Sequence, residues 1–181
     1  GHCMHPAHDS KPSPASCGEG SLSQPAAQPS AQTRWVLASG NKGKLREFSD
    51  LFAPLGIAWL AQGELGVPEC EEPYHTFIEN ALTKARHASR LTGLPALADD
   101  SGLCVPALRG APGVLSARYA TLFGREKSDA NNNAALIQAL HQLEASGQLV
   151  DRKAYFVCAM VWVAHADDPT PTVAQKMWFG E

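Results

Sequence analysis

From Trp35 onward, short apolar runs alternate with stretches whose apolar residues recur every three or four positions, and this alternation commits the chain to a sheet covered by helices. Trp35-Val36-Leu37-Ala38 stops at Ser39-Gly40-Asn41, the pattern of a buried strand entering a turn. Leu45, Phe48, Phe52 and Leu55 then fall three, four and three residues apart, which predicts the buried face of a helix of about three turns, closed by Gly56. Ile57-Ala58-Trp59-Leu60 predicts the next strand. A longer helix is predicted from about Thr76 to Leu91, with Phe77, Ile78, Ala81, Leu82, Ala85 and Ala88 inward and Gly93 as its stop.

The second half continues the pattern. Leu94-Pro95-Ala96-Leu97-Ala98 runs into Asp99-Asp100-Ser101-Gly102, which predicts a strand ending in a turn at the two acids, with another strand over Leu103 to Leu108. Gly110-Ala111-Pro112-Gly113 predicts a tight turn. Ser128 or Asp129 caps a helix carrying Leu136, Leu140 and Leu143. Ala154 to Ala164 is a long apolar strand that Asp167-Asp168-Pro169 turns back on Thr172 to Trp178 as a hairpin. The expected fold class is α/β, a mixed central sheet with flanking helices. Its domain spans residues 34–181, preceded by a disordered tail over 1–33 that is rich in Pro, Ser, Ala and Gln and poor in large aliphatic residues.

Composition excludes several classes. The 181 residues are 44% hydrophobic and 18% charged, enough for one domain with a sizeable core. A net charge of -3 provides no pull toward nucleic acid or an anionic membrane. No apolar run approaches the ~20 residues that span a bilayer. Cys3, Cys17, Cys70, Cys104 and Cys158 are scattered, without a C-x-x-C pair, and are expected as free thiols in a reducing, cytoplasmic setting. His2, Cys3, His5 and His8 in the tail lack surroundings that would fix a metal geometry. His87, His141 and His165 are expected at surface or packing positions.

Two clusters carry chemistry. Ser39-Gly40-Asn41-Lys42-Gly43-Lys44 joins a strand to a helix, so small residues let backbone amides approach an anion while Lys44 adds a cation. It is not a Walker A loop. The acids Asp99 and Asp100 should point to opposite faces of a strand, one bracing the loop and one facing a ligand. Two such charges about 4 Å apart repel by roughly 1 kcal/mol in water and about 4 at an effective dielectric of 20, so a nearby cation would offset a real cost. Together with Glu71, Glu72, Lys84 and Arg118 they supply magnesium ligands and phosphate counter-charges, a set suited to phosphoryl chemistry.

The motifs Ser39-Gly-Asn-Lys-Gly-Lys44, Thr76-Phe-Ile-Glu-Asn-Ala81, Lys84-Ala-Arg-His87, Ala98-Asp-Asp-Ser-Gly-Leu103, Gly110-Ala-Pro-Gly113 and Ser116-Ala-Arg-Tyr119 stand in the order found in the inosine triphosphate pyrophosphatase family, the XTP/dITP diphosphatases, which the chain resembles from about Trp35 to Gly180. The resemblance implies cleavage of a purine nucleoside triphosphate such as ITP, dITP or XTP to the monophosphate and pyrophosphate, with magnesium as cofactor and a homodimer as the assembly. It makes Ser39, Asn41, Lys44 and Lys84 phosphate contacts, Glu72 and Asp100 the magnesium-linked acids, and Asp100 the base for the attacking water. Ser101 either positions Asp100 or contacts phosphate, Asp99 braces, and Arg118 belongs to the site or to a dimer ion pair. The family's Gly-Phe-Gly-Tyr-Asp-Pro-like loop and Ser-His-Arg triplet, which contact the purine, are expected beyond Glu181, and Trp178 is expected in a core or an interface rather than against a base. Two other readings stand beside this one: a non-catalytic remnant that binds nucleotide or a partner, and a Maf-like nucleotide pyrophosphatase.

Overall fold

The computed structural model describes residues 33–39 and 41–180; the tail over 1–33 and its histidine cluster lie outside the described residues, save Thr33. A five-stranded sheet holds the strands in the order β2-β1-β3-β4-β5, where β1 is Thr33–Leu37, β2 Ile57–Ala61, β3 Ala96–Cys104, β4 Ala154–Val163 and β5 Thr172–Gly180. Strand β1 runs parallel to β2 and β3, whereas β3–β4 and β4–β5 are antiparallel. The mixed sheet and flanking helices expected from the pattern are therefore present.

Helices α1 (Lys42–Phe52) and α2 (Phe77–Thr92) cover opposite faces. The reason is side-chain size and strand alternation. Ala81, Ala85 and Ala88 on α2 are fully buried against Val36, Ala38, Ala96, Ala98, Val161 and Val163, small residues that let helix and sheet approach closely. The other face presents Leu37, Trp59 and Leu97, on which Phe48 and Phe52 of α1 pack with Trp35 and Trp162. Ring centroids there lie 5.1–6.4 Å apart, within the range where aromatic pairs add to simple area burial. Thr76 caps α2 by accepting from the Glu79 amide, and Gly93 closes it with a positive φ of 70°.

Two expectations are corrected. Leu55 is exposed, because α1 ends at Phe52 and Pro54 draws Ala53–Leu55 into a 3-10 turn that carries the leucine off the buried face. The chain also does not turn at Asp99-Asp100: β3 continues through both acids to Cys104, paired along its whole length with β4, while Pro106–Leu108 forms a 3-10 turn. Pairing with β4 supplies the ladder hydrogen bonds that a turn would have had to replace. Gly102 is accordingly no turn glycine. A Cβ there would meet the Gly113 carbonyl oxygen and lie 2.6 Å from Ser116 Oγ, so it is glycine because another segment crosses it closely.

That segment, the 3-10 stretch Gly113–Phe123, is bolted to β3 by Ser116, whose Oγ accepts from the Leu103 amide at 2.9 Å and donates to the Gly113 carbonyl at 2.6 Å. Helix α3 (Asp129–Ala145), capped by Ser128, packs beside it through Tyr119, Ala120 and Ala135. Strand β5 is exposed along its length, with Trp178 resting on Phe156 at the sheet edge.

Candidate functional site

Strand β3 outruns β1: their pairing covers only Val36 with Ala96 and Leu37 with Leu97. Helix α1 takes the chain from β1 to β2 on one side, and α2 returns it past β1 to β3 on the other, so the strand order reverses at β1. A crevice at the carboxyl ends of such strands is where open α/β sheets bind ligands. The cleft found there has a volume of about 630 Å³, well inside the range of small-molecule sites. Its floor is made by Gln62 after β2, Ala38 and Ser39 after β1, and the mid-strand residues Asp99, Asp100 and Ser101 of β3. The loop Glu69–Pro73, Lys44 of α1, Lys84 of α2, and Ala117, Arg118 and Lys127 form the walls.

Alternation along β3 sends the two acids to different helices. Asp99 lies on the α1 face and forms an ion pair with Lys44 Nζ. Asp100 lies on the α2 face with Ala98 and Gly102, where Glu72 and Lys84 pair at 2.8 Å. Asp100 is only 8% exposed, and its Oδ2 has no hydrogen-bond partner among the described residues. Burial, reinforced by the neighbouring Glu72 charge, pushes its pKa up to about 6, while Lys84, Asn80 and the Ser101 backbone pull the other way. Burial by itself would lower the Lys84 pKa, but the hydrogen bond and charge of Glu72, with help from Asp99 and Asp100, raise it.

The cleft therefore brings together Ser39, Lys44, Glu72, Lys84, Asp100 and Ser101 among the residues singled out from sequence. Asn41 is not among its lining residues: its Oδ1 accepts from the Gly43 and Lys44 amides and caps α1, while its own amide donates to Ser39 Oγ at 3.1 Å. His87 contacts the Pro68 carbonyl at 2.9 Å, in keeping with a packing position. Cys70, Cys104 and Cys158 are free, and burial raises the pKa of each.

Three residues were not legible as site residues. Gln62 and Lys127 line the cleft although nothing local in the sequence marks them. Asn80, fully buried in the first turn of α2, accepts from the Tyr74 amide at 3.0 Å and donates to the Tyr74 carbonyl at 3.1 Å, clamping the end of the loop that bears Glu72. Its signal was present: Asn is a poor helix former, and a buried one implies a hydrogen-bonding task.

The residues suit magnesium better than a preassembled metal cage. No three His, Cys, Asp or Glu side chains converge as a ligand set among the described residues. Magnesium commonly takes one or two carboxylates and completes its shell with water and substrate phosphate. Asp100, with an orphaned buried oxygen and a pKa raised by burial and then by the neighbouring Glu72, is a group that a cation would satisfy.

The chain is a three-layer α/β protein whose cleft, floored by carboxylates and walled by lysines, lies at a strand-order reversal, the usual ligand-binding place of such sheets. Residues 35–181 match the Ham1 family, and the chain belongs to it. A dITP/XTP pyrophosphatase of Burkholderia pseudomallei is 62% identical over 151 residues, covering 83% of this chain and 70% of the relative. A dITP/XTP pyrophosphatase of Ralstonia nicotianae is 63% identical over 148 residues, covering 82% and 71%. Among solved structures, the HAM1 protein of Coxiella burnetii matches with a TM-score of 0.73 at 45% identity, over 82% of this chain and 72% of that one. The Staphylococcus aureus Ham1 protein matches with a TM-score of 0.67 at 36% identity, over 82% and 71%. This is an enzyme family, and the resemblance carried by the six motifs holds at family level.

Proposed function

We propose that this protein hydrolyses deaminated purine nucleoside triphosphates, dITP, XTP and ITP, to the monophosphate and pyrophosphate with magnesium, removing them from the nucleotide pool. The relatives' shared name supports the substrate class, and the buried, orphaned carboxylate of Asp100 beside Glu72 and Lys84 carries the mechanistic reading. In it, Asp100 and Glu72 would hold magnesium, which when bound would neutralise phosphate charge and make phosphorus more open to attack. Asp100 accepts a proton from water as the water oxygen bonds to the α-phosphorus. The bond from that phosphorus to the bridging oxygen breaks, and pyrophosphate leaves with the electron pair. Lys44 and Lys84 supply positive charge to the phosphates, and Ser39, just after β1, and Ser101, within β3, offer hydroxyl donors.

The charge of the cleft favours a metal requirement: five carboxylates line it against four cationic side chains, so a polyanion enters only with accompanying cations. A homodimer and a cytoplasmic location complete the reading. Sedimentation velocity tests the association between copies. No described helix is long and apolar enough to cross a membrane. Incubation with dITP or XTP and magnesium, with separate assays of monophosphate and pyrophosphate, tests the reaction. Equimolar release of the two is expected; release of orthophosphate overturns it, and binding without turnover favours a non-catalytic role.

A further inference from the structure

We infer that Arg118 and Lys127 form a second anion-binding wall of the cleft, which adds to Lys44 and Lys84 in taking up the charge of the polyphosphate chain; the inference deepens the proposed reaction and rests on it. Lys44 and Lys84 are each already paired, with Asp99 and Glu72. Arg118 and Lys127 line the same cleft and pair with no carboxylate among the described residues. A paired lysine must exchange one anion for another on binding phosphate and gains only the difference, whereas an unpaired cation gives up only hydration for the attraction it gains.

Hydrogen bonds fix the backbone on either side of the two cations. Arg118 sits at a break in the Gly113–Phe123 segment, with a non-helical φ of -131° and ψ of 18°, between the Ser116 bolt to β3 and the buried Tyr119 and Ala120. One guanidinium N–H donates toward the Glu72 carbonyl at 3.4 Å, leaving further donors of a five-donor group for a ligand. Lys127 immediately precedes the Ser128 cap of α3. Asn132 ties the two pieces together: its Oδ1 accepts from the Ala120 amide and its Nδ2 donates to the Ala117 carbonyl, both at 2.9 Å. The two cations are thus presented by one clamped unit, distinct from the helices that carry Lys44 and Lys84.

Calorimetric titration of the full chain with inorganic tripolyphosphate in the presence of magnesium tests the wall directly. Lys127→Ala and Arg118→Ala should each weaken binding by about tenfold, the scale of losing one charge-assisted hydrogen bond. Lys127→Arg should restore most of it, and the remote Lys153→Ala should leave it unchanged. Binding of the uncharged nucleoside inosine should not respond, and Lys127→Ala should raise KM for dITP with kcat within about twofold. Unchanged tripolyphosphate affinity in both alanine variants, a loss that falls on inosine instead, or no tripolyphosphate binding by the unmodified chain overturns the inference. An unmodified chain that releases no pyrophosphate from dITP sinks the proposed reaction, while the titration still decides the wall.

Discussion

At Asp100, a carboxylate is kept on a covered strand with one oxygen unpartnered, a costly arrangement that folding by itself does not need. The proposed role as base predicts that Asp100→Asn, which preserves shape and removes charge, lowers kcat for dITP by about a thousandfold, within the range of general-base contributions. Thermal unfolding should show the variant at least as stable as the parent, since a poorly solvated carboxyl has been replaced by a neutral amide. Activity near the parent's would remove Asp100 from the chemistry. Gly102, two residues on, faces a different constraint. Gly102→Ala should destabilise by about 1–3 kcal/mol, measured by denaturant unfolding, because its Cβ collides with backbone at Gly113 and with the Ser116 bolt rather than with a flexible side chain.

The elements that present the site depend on a few end contacts. Helix α2 carries Lys84 and begins at Thr76, whose Oγ1 accepts from the Glu79 amide at 3.2 Å and donates to Glu79 Oε1 at 2.7 Å. Thr76→Ala should cost about 1 kcal/mol of stability, the usual value of an N-cap. At the far end of the sheet, Asp168 organises the β4–β5 turn by accepting from the Ala164 and Thr170 amides, each at 2.9 Å, and these bonds hold its pKa below the ordinary 3.8. A depressed carboxylate contributes stability above its unfolded pKa and loses it as pH falls through the folded one. The gap in Tm between the parent and Asp168→Asn should therefore be widest above about pH 5 and shrink toward pH 2. A gap that does not change with pH would assign the turn's stability to shape rather than charge.

For the molecule as a whole, the excess of carboxylates in the cleft gives the proposed magnesium requirement a direct test. Removing divalent cations with a chelator should weaken tripolyphosphate binding by more than about tenfold, read by calorimetry. Affinity that ignores the chelator would mean that Lys44, Lys84, Arg118 and Lys127 suffice, and that the acids serve another end.

Local chemistry in the chain was enough to determine the alternation of strands and helices, the helix start near Thr76, the cap at Ser128, the stop at Gly93, the hairpin, and the residue types of a polyanion site, since each depends on neighbours within a few positions. It misplaced the course of β3 because the acids and glycine that ordinarily mark a turn are here satisfied by β4, some sixty residues away in the chain, through the pairing of Asp100 with Ala159. Only the tertiary structure decided which lysine meets which acid. The strand's alternation sends Asp99 to Lys44 and Asp100 toward Lys84 and Glu72, leaving Arg118 and Lys127 without a carboxylate among the described residues. Charge pairing depends on distance in space, and sequence spacing carries that distance only within one element.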